Sequence, residues 1–234
     1  MAGQPGPTSR RAGLSPDTVI DAAISLAHIH GIDGWSVRAL AAELDVVPSV
    51  IYHYFSTKTD LIDAVTDRIY ASAQLPDDSL EWKQWFRQLA HNLRPVLLDY
   101  PGLADRMMRA HMPDSAFSTL DTGLRKLEDA GFGDTAVMVY SMILNVAVSS
   151  VVIRDAKSPN YPGPRQDMDA LVAKLEPMAA TSGPISRFLD TFVGLIRNDQ
   201  QAAEDISTTY YTMTIDAVLA GVEQTILTPL LEQR

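Results

Sequence analysis

The chain has 234 residues and a mass of 25.6 kDa, enough for one extended domain or two joined ones with a sizeable core. With 46% hydrophobic and 21% charged residues it falls in the range of folded chains, and its lack of cysteine rules out disulfides, thiolate metal sites and iron–sulfur clusters. The formal charge of −10 excludes a broadly basic surface; residues 1–70 hold five Lys/Arg against eight Asp/Glu, a net of −3, which leaves −7 for the remainder.

Residues 1–14, with Arg10 and Arg11 among Gly and Pro, lack an apolar stretch, so they read as a flexible arm and not as a secretory signal. Ser15-Pro16-Asp17 then announces a first helix: a hydroxyl that caps, a proline at the first helical position and an acid beside the positive helix end. Its apolar positions repeat at helical spacing until Gly31. Ser36 caps a second helix, Val37 to Leu44, whose stripe is Val37, Leu40, Ala41 and Leu44. A third, short helix runs from Pro48 to Tyr54 after a turn at Asp45, a residue that tolerates the left-handed conformation. Thr57 and Asp60 form a shortened capping box for a fourth helix, with a break at Pro76-Asp77-Asp78.

From Ser79 onward the periodicity is helical and no run alternates as a strand would. The spacing predicts helices over Leu80–Asp99, Pro101–His111, Asp114–Ala130, Asp134–Ala156, Asp167–Ala179, Gly183–Asn198 and Ala202–Leu231, with Lys157–Arg165 as the longest loop. The nearly uncharged run Thr135–Ile153 contains Tyr140, Ser141, Asn145, Ser149 and Ser150, which favours a buried helix over a membrane span. The expected architecture is all-α: an arm over 1–14, a three-helix helix-turn-helix domain over 15–60 and a helical domain over 61–234.

Two short helices joined at Asp45 and packed through Leu40, Leu44, Val46 and Ile51 leave the start of the third helix outside, where it can enter a major groove. The string Ile51-Tyr52-His53-Tyr54-Phe55-Ser56-Thr57-Lys58-Thr59-Asp60-Leu61, following this helix-turn-helix, resembles the TetR family of transcriptional regulators. The local likeness runs from about Ser15 to Val65; beyond it the all-helical layout, the length and the long last helix match.

The resemblance implies contacts to DNA by Arg38, by Pro48, Ser49 and Val50 on the outer side of the recognition helix, by Tyr52 and His53 along the backbone, and by Lys58 to phosphate. The chemistry agrees, since a phenol, an ammonium and free helix-start N–H groups all suit phosphate oxygens. Tyr54 and Phe55 read as core. The chain departs from the family where Asp45, Val47, Ser49 and Val50 stand in place of its usual Gly, Ser or Thr, Gly and Thr. Val47 offers no capping oxygen, and Pro48 offsets that in part. Arg10 and Arg11 fit either a minor-groove arm or a plain tail.

The resemblance also implies an inducer pocket in the second domain. Aromatic and methionine side chains between helices suit a pliable apolar cavity, and polar groups inside apolar stretches suit orientation of a ligand. The candidates are Trp85, Met108, His111, Met112, Met138, Met142 and Asn145. The last two helices, through Phe188, Leu189, Phe192, Leu195 and Ile196 and then Tyr210, Met213, Ile215, Val218, Leu219 and Val222, read as a four-helix homodimer interface.

No enzyme signature is present: the five His are scattered, and there is no Gly-rich phosphate loop, nucleophile elbow or HExxH. No metal or cofactor is expected. The reading is a cytoplasmic, homodimeric repressor released from a palindromic operator by a small apolar or amphipathic molecule. The alternative is a helical ligand-binding dimer that acts through a protein partner without operator binding.

Overall fold

The computed structural model describes residues 14–156, 167–190 and 200–233. Arg10, Arg11, the Lys157–Arg165 loop and the candidate dimer residues Phe192, Leu195 and Ile196 lie outside the described residues. Within them the chain is helical, with no strand. The elements are α1 (Pro16–His30), α2 (Val37–Glu43), α3 (Pro48–Tyr54), α4 (Lys58–Ala71), α5 (Trp82–Asp99), α6 (Leu103–Met108), α7 (Ala116–Ala130), α8 (Ala136–Asp155), α9 (Met168–Ala179), α10 (Gly183–Phe188), α11 (Gln200–Val222) and α12 (Thr228–Glu232). A π-helical turn, Glu223–Leu227, joins the last two.

Local chemistry sets the first four elements. Ser15 Oγ accepts from Thr18 N at 3.2 Å and Ser36 Oγ from Ala39 N at 3.1 Å. Thr57 Oγ1 accepts from Asp60 N at 3.0 Å while Asp60 Oδ2 accepts from Thr57 N at 2.9 Å, so the capping box is complete. Val47 gives no side-chain cap and Pro48 opens α3, as its fixed φ allows. Asp45 adopts φ 53°, the left-handed residue that reverses the chain between α2 and α3.

The head's core is Val19, Ala23, Ala27, Leu40, Ile51, Leu61 and Val65, all buried, whereas Leu44 and Val46 are half-buried and pack on its edge. Arg68 of α4 pairs with Asp17 and, at 3.3 Å, with Asp21 of α1. Tyr54 is half-buried because its hydroxyl reaches the Leu14 carbonyl at 2.9 Å.

Helix α8 is the centre of the second part. It buries Val139, Ile143, Ala147 and Val151 at helical spacing and packs on α5, α6, α7 and α11. The stretches 133–155 and 201–232 are each long and apolar enough to cross a membrane. At the α5–α7–α8 crossing, Gly123 permits close approach: a Cβ there would lie 2.7 Å from the Tyr140 ring and 3.2 Å from Phe86.

Helix α5 runs antiparallel to α11 and is joined by ion pairs to it and to the π-helical turn that follows it. Lys83 meets Glu223, Arg87 meets Asp216 at 2.6 Å, and Arg94 meets Glu204 at 3.3 Å. The Tyr211 hydroxyl donates to the Ala90 carbonyl at 2.9 Å within this ladder.

The head is tied to the rest at α6. Ile32 N donates to the Pro101 carbonyl at 2.9 Å, and Arg106, only 12% exposed, reaches Asp63 of α4 at 2.6 Å and Asp33 of the α1–α2 loop at 3.6 Å. Gly102, with φ 90°, begins α6 in a conformation that favours glycine. Its N–H is accepted at 3.0 Å by Asp155, a buried carboxylate at the end of α8.

Candidate nucleic-acid interface

Helices α2 and α3 present one exposed surface. Arg38, in the first turn of α2, is exposed and makes no ion pair among the described residues. On α3, Ser49, Tyr52 and His53 are exposed, Tyr52 at 48%, while Pro48 and Val50 are half-buried. Val47, which sequence reasoning treated only as a failed cap, is 57% exposed at the tip of the turn and offers an apolar contact surface. The N-terminal N–H groups of α2 and α3 and the phenol of Tyr52 supply donors for phosphate oxygens. The His53 ring leans edge-on against Tyr54, with centroids 5.4 Å apart.

Lys58 is placed differently from a freely extended phosphate ligand. Its Nζ donates to the Asp33 carbonyl at 2.9 Å and lies 5.0 Å above the centre of the Trp35 ring. The ammonium keeps two other N–H donors, so the platform of Asp33 and Trp35 holds a usable cation at the start of α4. This platform comes from the α1–α2 loop, more than twenty residues upstream, and periodicity gave no sign of it.

The candidate ligand residues are not brought together. Trp85 is buried at 2% exposure with its indole Nε1 lacking an acceptor among the described residues. Met112 is half-buried. Met138, Met142 and Asn145 lie on the outer face of α8, exposed, because their i, i+4, i+7 spacing puts them opposite the Val139, Ile143, Ala147 stripe. Met108 and His111, at the far end of α6, are exposed as well. A small cavity lies between α5, α8 and α11, where Leu89, Leu93, Ile143, Ala147 and Tyr211 are among its walls. Its free volume of about 10 Å³ holds one water at most.

The candidate dimer residues divide too. Ile215, Leu219 and Val222 are buried in their own chain, on the side of α11 that covers α5 and α8. Tyr210 and Met213, at 57% and 67%, remain exposed, as does Phe188. The outer face of α8, with Val137, Met138, Met142 and Ile153 all exposed, adds an apolar surface that includes the pocket candidates Met138 and Met142.

Two family models match the chain: bacterial regulatory proteins, tetR family, over residues 19–65, and tetracyclin repressor-like, C-terminal domain, over residues 75–225. The chain is similar to the class D tetracycline repressor protein of Escherichia coli, 32% identical over 124 residues, 52% of this chain and 57% of that relative. It is also similar to an HTH-type transcriptional repressor of Mycobacterium tuberculosis, 30% identical over 169 residues, 68% of this chain and 64% of the relative. The matched region thus spans less than two thirds of these relatives' own length. Among solved structures, a variant of TetR from Acinetobacter baumannii AYE in complex with minocycline is similar, with 25% identity and a TM-score of 0.64 over 92% of this chain and 95% of that one. A helix-turn-helix head on a helical second part, matched across both by the family's models, makes this chain a member of the TetR family of bacterial regulatory proteins.

Proposed function

We propose that the protein is a homodimeric transcriptional repressor that reads a palindromic operator and is released from it by a small molecule bound in its second part. The observation that carries the DNA reading is the exposed surface of Arg38, Ser49, Tyr52 and His53 at the start of two capped or proline-opened helices, with Lys58 held beside it. Its few cations suit a site-reading protein of negative net charge, because local placement and not total charge sets the contact.

Dimerisation is supported by apolar outer faces on α8 and α11, two helices that pack on each other. Val137, Met138 and Met142 on one, and Tyr210 and Met213 on the other, are costly to leave in water. Gly221 has open space where its side chain would be, so a second copy can approach α11 closely. In the dimer two copies of α3 would enter successive major grooves about 34–36 Å apart. Such a protein acts where the DNA is, in the cytoplasm.

The ligand response follows the tie at α6. A molecule that parts α5 and α8 from α11 shifts the end of α8, and Asp155 passes that shift through Gly102 to Arg106 and so to Asp33 and Asp63 of the head. It need only prefer one arrangement over the other.

Selection of bound duplexes from a random pool, followed by a salt titration on the winner, tests this reading. Enrichment of a palindrome with a steep salt slope is the expected result. No enrichment from folded, dimeric, ligand-free protein would replace it with a dimer that acts through a protein partner.

A further inference from the structure

The seam between α5, α8 and α11 is long, narrow and wholly apolar. Phe86, Leu93 and Leu97 mark its course along α5, with Ile143 and Ala147 facing from α8 and Tyr211 from α11. From residue 86 to residue 97 a helix rises on the order of 16 Å, so the seam is three turns long while its free space is only that of one water. No charged side chain lines it. A compact polar ligand would leave its donors unpaired here, whereas a single flexible hydrocarbon chain could part the three helices along their length without exposing a polar group.

One end of the seam is ringed by two guanidinium groups. Arg94, 12% exposed, lies over the Tyr211 ring at 5.3 Å and reaches Glu204 Oε1 at 3.3 Å and Ser207 Oγ at 3.0 Å. Arg154 comes from α8 and donates to the other oxygen, Glu204 Oε2, at 2.6 Å. His91 meets the Tyr211 ring edge-on, with centroids 5.9 Å apart. Burial alone would raise the Glu204 carboxyl, but hydrogen bonds and charge from Arg154 and Arg94 hold it below its ordinary value. Two guanidinium groups therefore share the Glu204 carboxylate beside an apolar slot, with the buried Asp155 as a further carboxylate acting on Arg154. A planar, twin-oxygen anion is the group that guanidinium recognises best, and low exposure strengthens the attraction.

We propose that the ligand is a single-chain aliphatic carboxylate, with its tail between α5, α8 and α11 and its head on Arg94 and Arg154. This deepens the ligand-responsive reading above and rests on it. The test measures binding to the full-length protein without DNA, so a missing operator and a missing ligand are separate failures. The probes are dodecanoate, dodecanol and dodecylamine below their aggregation concentrations, followed by calorimetry and by tryptophan fluorescence, Trp85 being in ring contact with the seam residue Phe86.

Dodecanoate is expected to bind about tenfold or more tighter than dodecanol, and dodecylamine weakest. Arg154→Gln and Arg94→Gln should each remove most of that preference, read as the ratio of dodecanoate to dodecanol affinity within the same variant. Arg154 is 38% exposed, so its variant carries the test should Arg94→Gln fail to fold. Ala147→Leu, which narrows the slot, should weaken both probes alike. Equal affinity for dodecanoate and dodecanol, no binding of any probe, or an undiminished preference in Arg154→Gln would overturn the assignment.

Discussion

Replacing Asp155 by asparagine should stabilise the protein, by an amount that depends on pH. Asp155 is 2% exposed and accepts the Gly102 N–H at 3.0 Å. Burial pushes its carboxyl from an ordinary 3.8 up to about 6, with Asp105 adding to the rise and the Gly102 N–H and Arg154 opposing it. A carboxyl raised in this way binds more protons in the folded state than in the unfolded one. The contribution of this carboxyl to stability is therefore greatest below pH 4, falls as pH climbs from about 4 to about 6, and is level above. Two units correspond to a cost of about 3 kcal/mol at pH 7 and about half that at pH 5. Asparagine offers the same oxygen to Gly102 and never ionises. Urea denaturation of Asp155→Asn and the native chain at equal concentration should give an advantage of up to about 3 kcal/mol at pH 7, shrinking by about half at pH 5. A lower midpoint for the variant at pH 7, or an advantage that does not change with pH, would refute the burial argument.

Three further outcomes are expected. Lys58→Ala should weaken binding to all duplexes and lower the salt slope by about one, while Arg38→Ala should also relax sequence preference; equal losses on every sequence for both would undo that division. Gly123→Ala should lower stability by about 1–3 kcal/mol in a denaturant titration, since its Cβ would crowd the Tyr140 ring at 2.7 Å; a neutral change would mean that α7 has room to move. The pair Met142→Glu and Met213→Glu, at positions exposed in the single chain, should yield a folded monomer by light scattering; a dimer of unchanged mass would place the interface elsewhere.

The head was readable from the sequence nearly residue by residue. Ser15, Ser36, Thr57 and Pro48 are local signals whose effects reach three or four residues, and α3 has the bounds that they predict. The second part was readable as helices but not as faces. Apolar residues run all the way round α8, so periodicity could not say whether Met138 or Ile143 turned inward, and the neighbours α5, α6, α7 and α11 decided it. On α11 the reverse happened: Ile215, Leu219 and Val222 looked like an interface because the core they cover lies more than fifty residues away. The Lys58 platform, the shared Glu204 and the Arg106 tie each join residues distant in sequence, and no single stretch carries their signal.

The Arg106 tie bears on how such proteins can be recombined. A chimera cut near residue 60 would look natural, yet it would give Arg106 a foreign head in place of Asp33, and the foreign loop would have to bring a backbone N–H to where Ile32 donates to the Pro101 carbonyl. A guanidinium only 12% exposed that loses one of its carboxylates is penalised far more than a surface charge. Grafted heads should therefore be transplanted as α1 to α4 together with the Pro101–Arg106 corner, the unit that exchanges cleanly being the joint and not the helix-turn-helix alone.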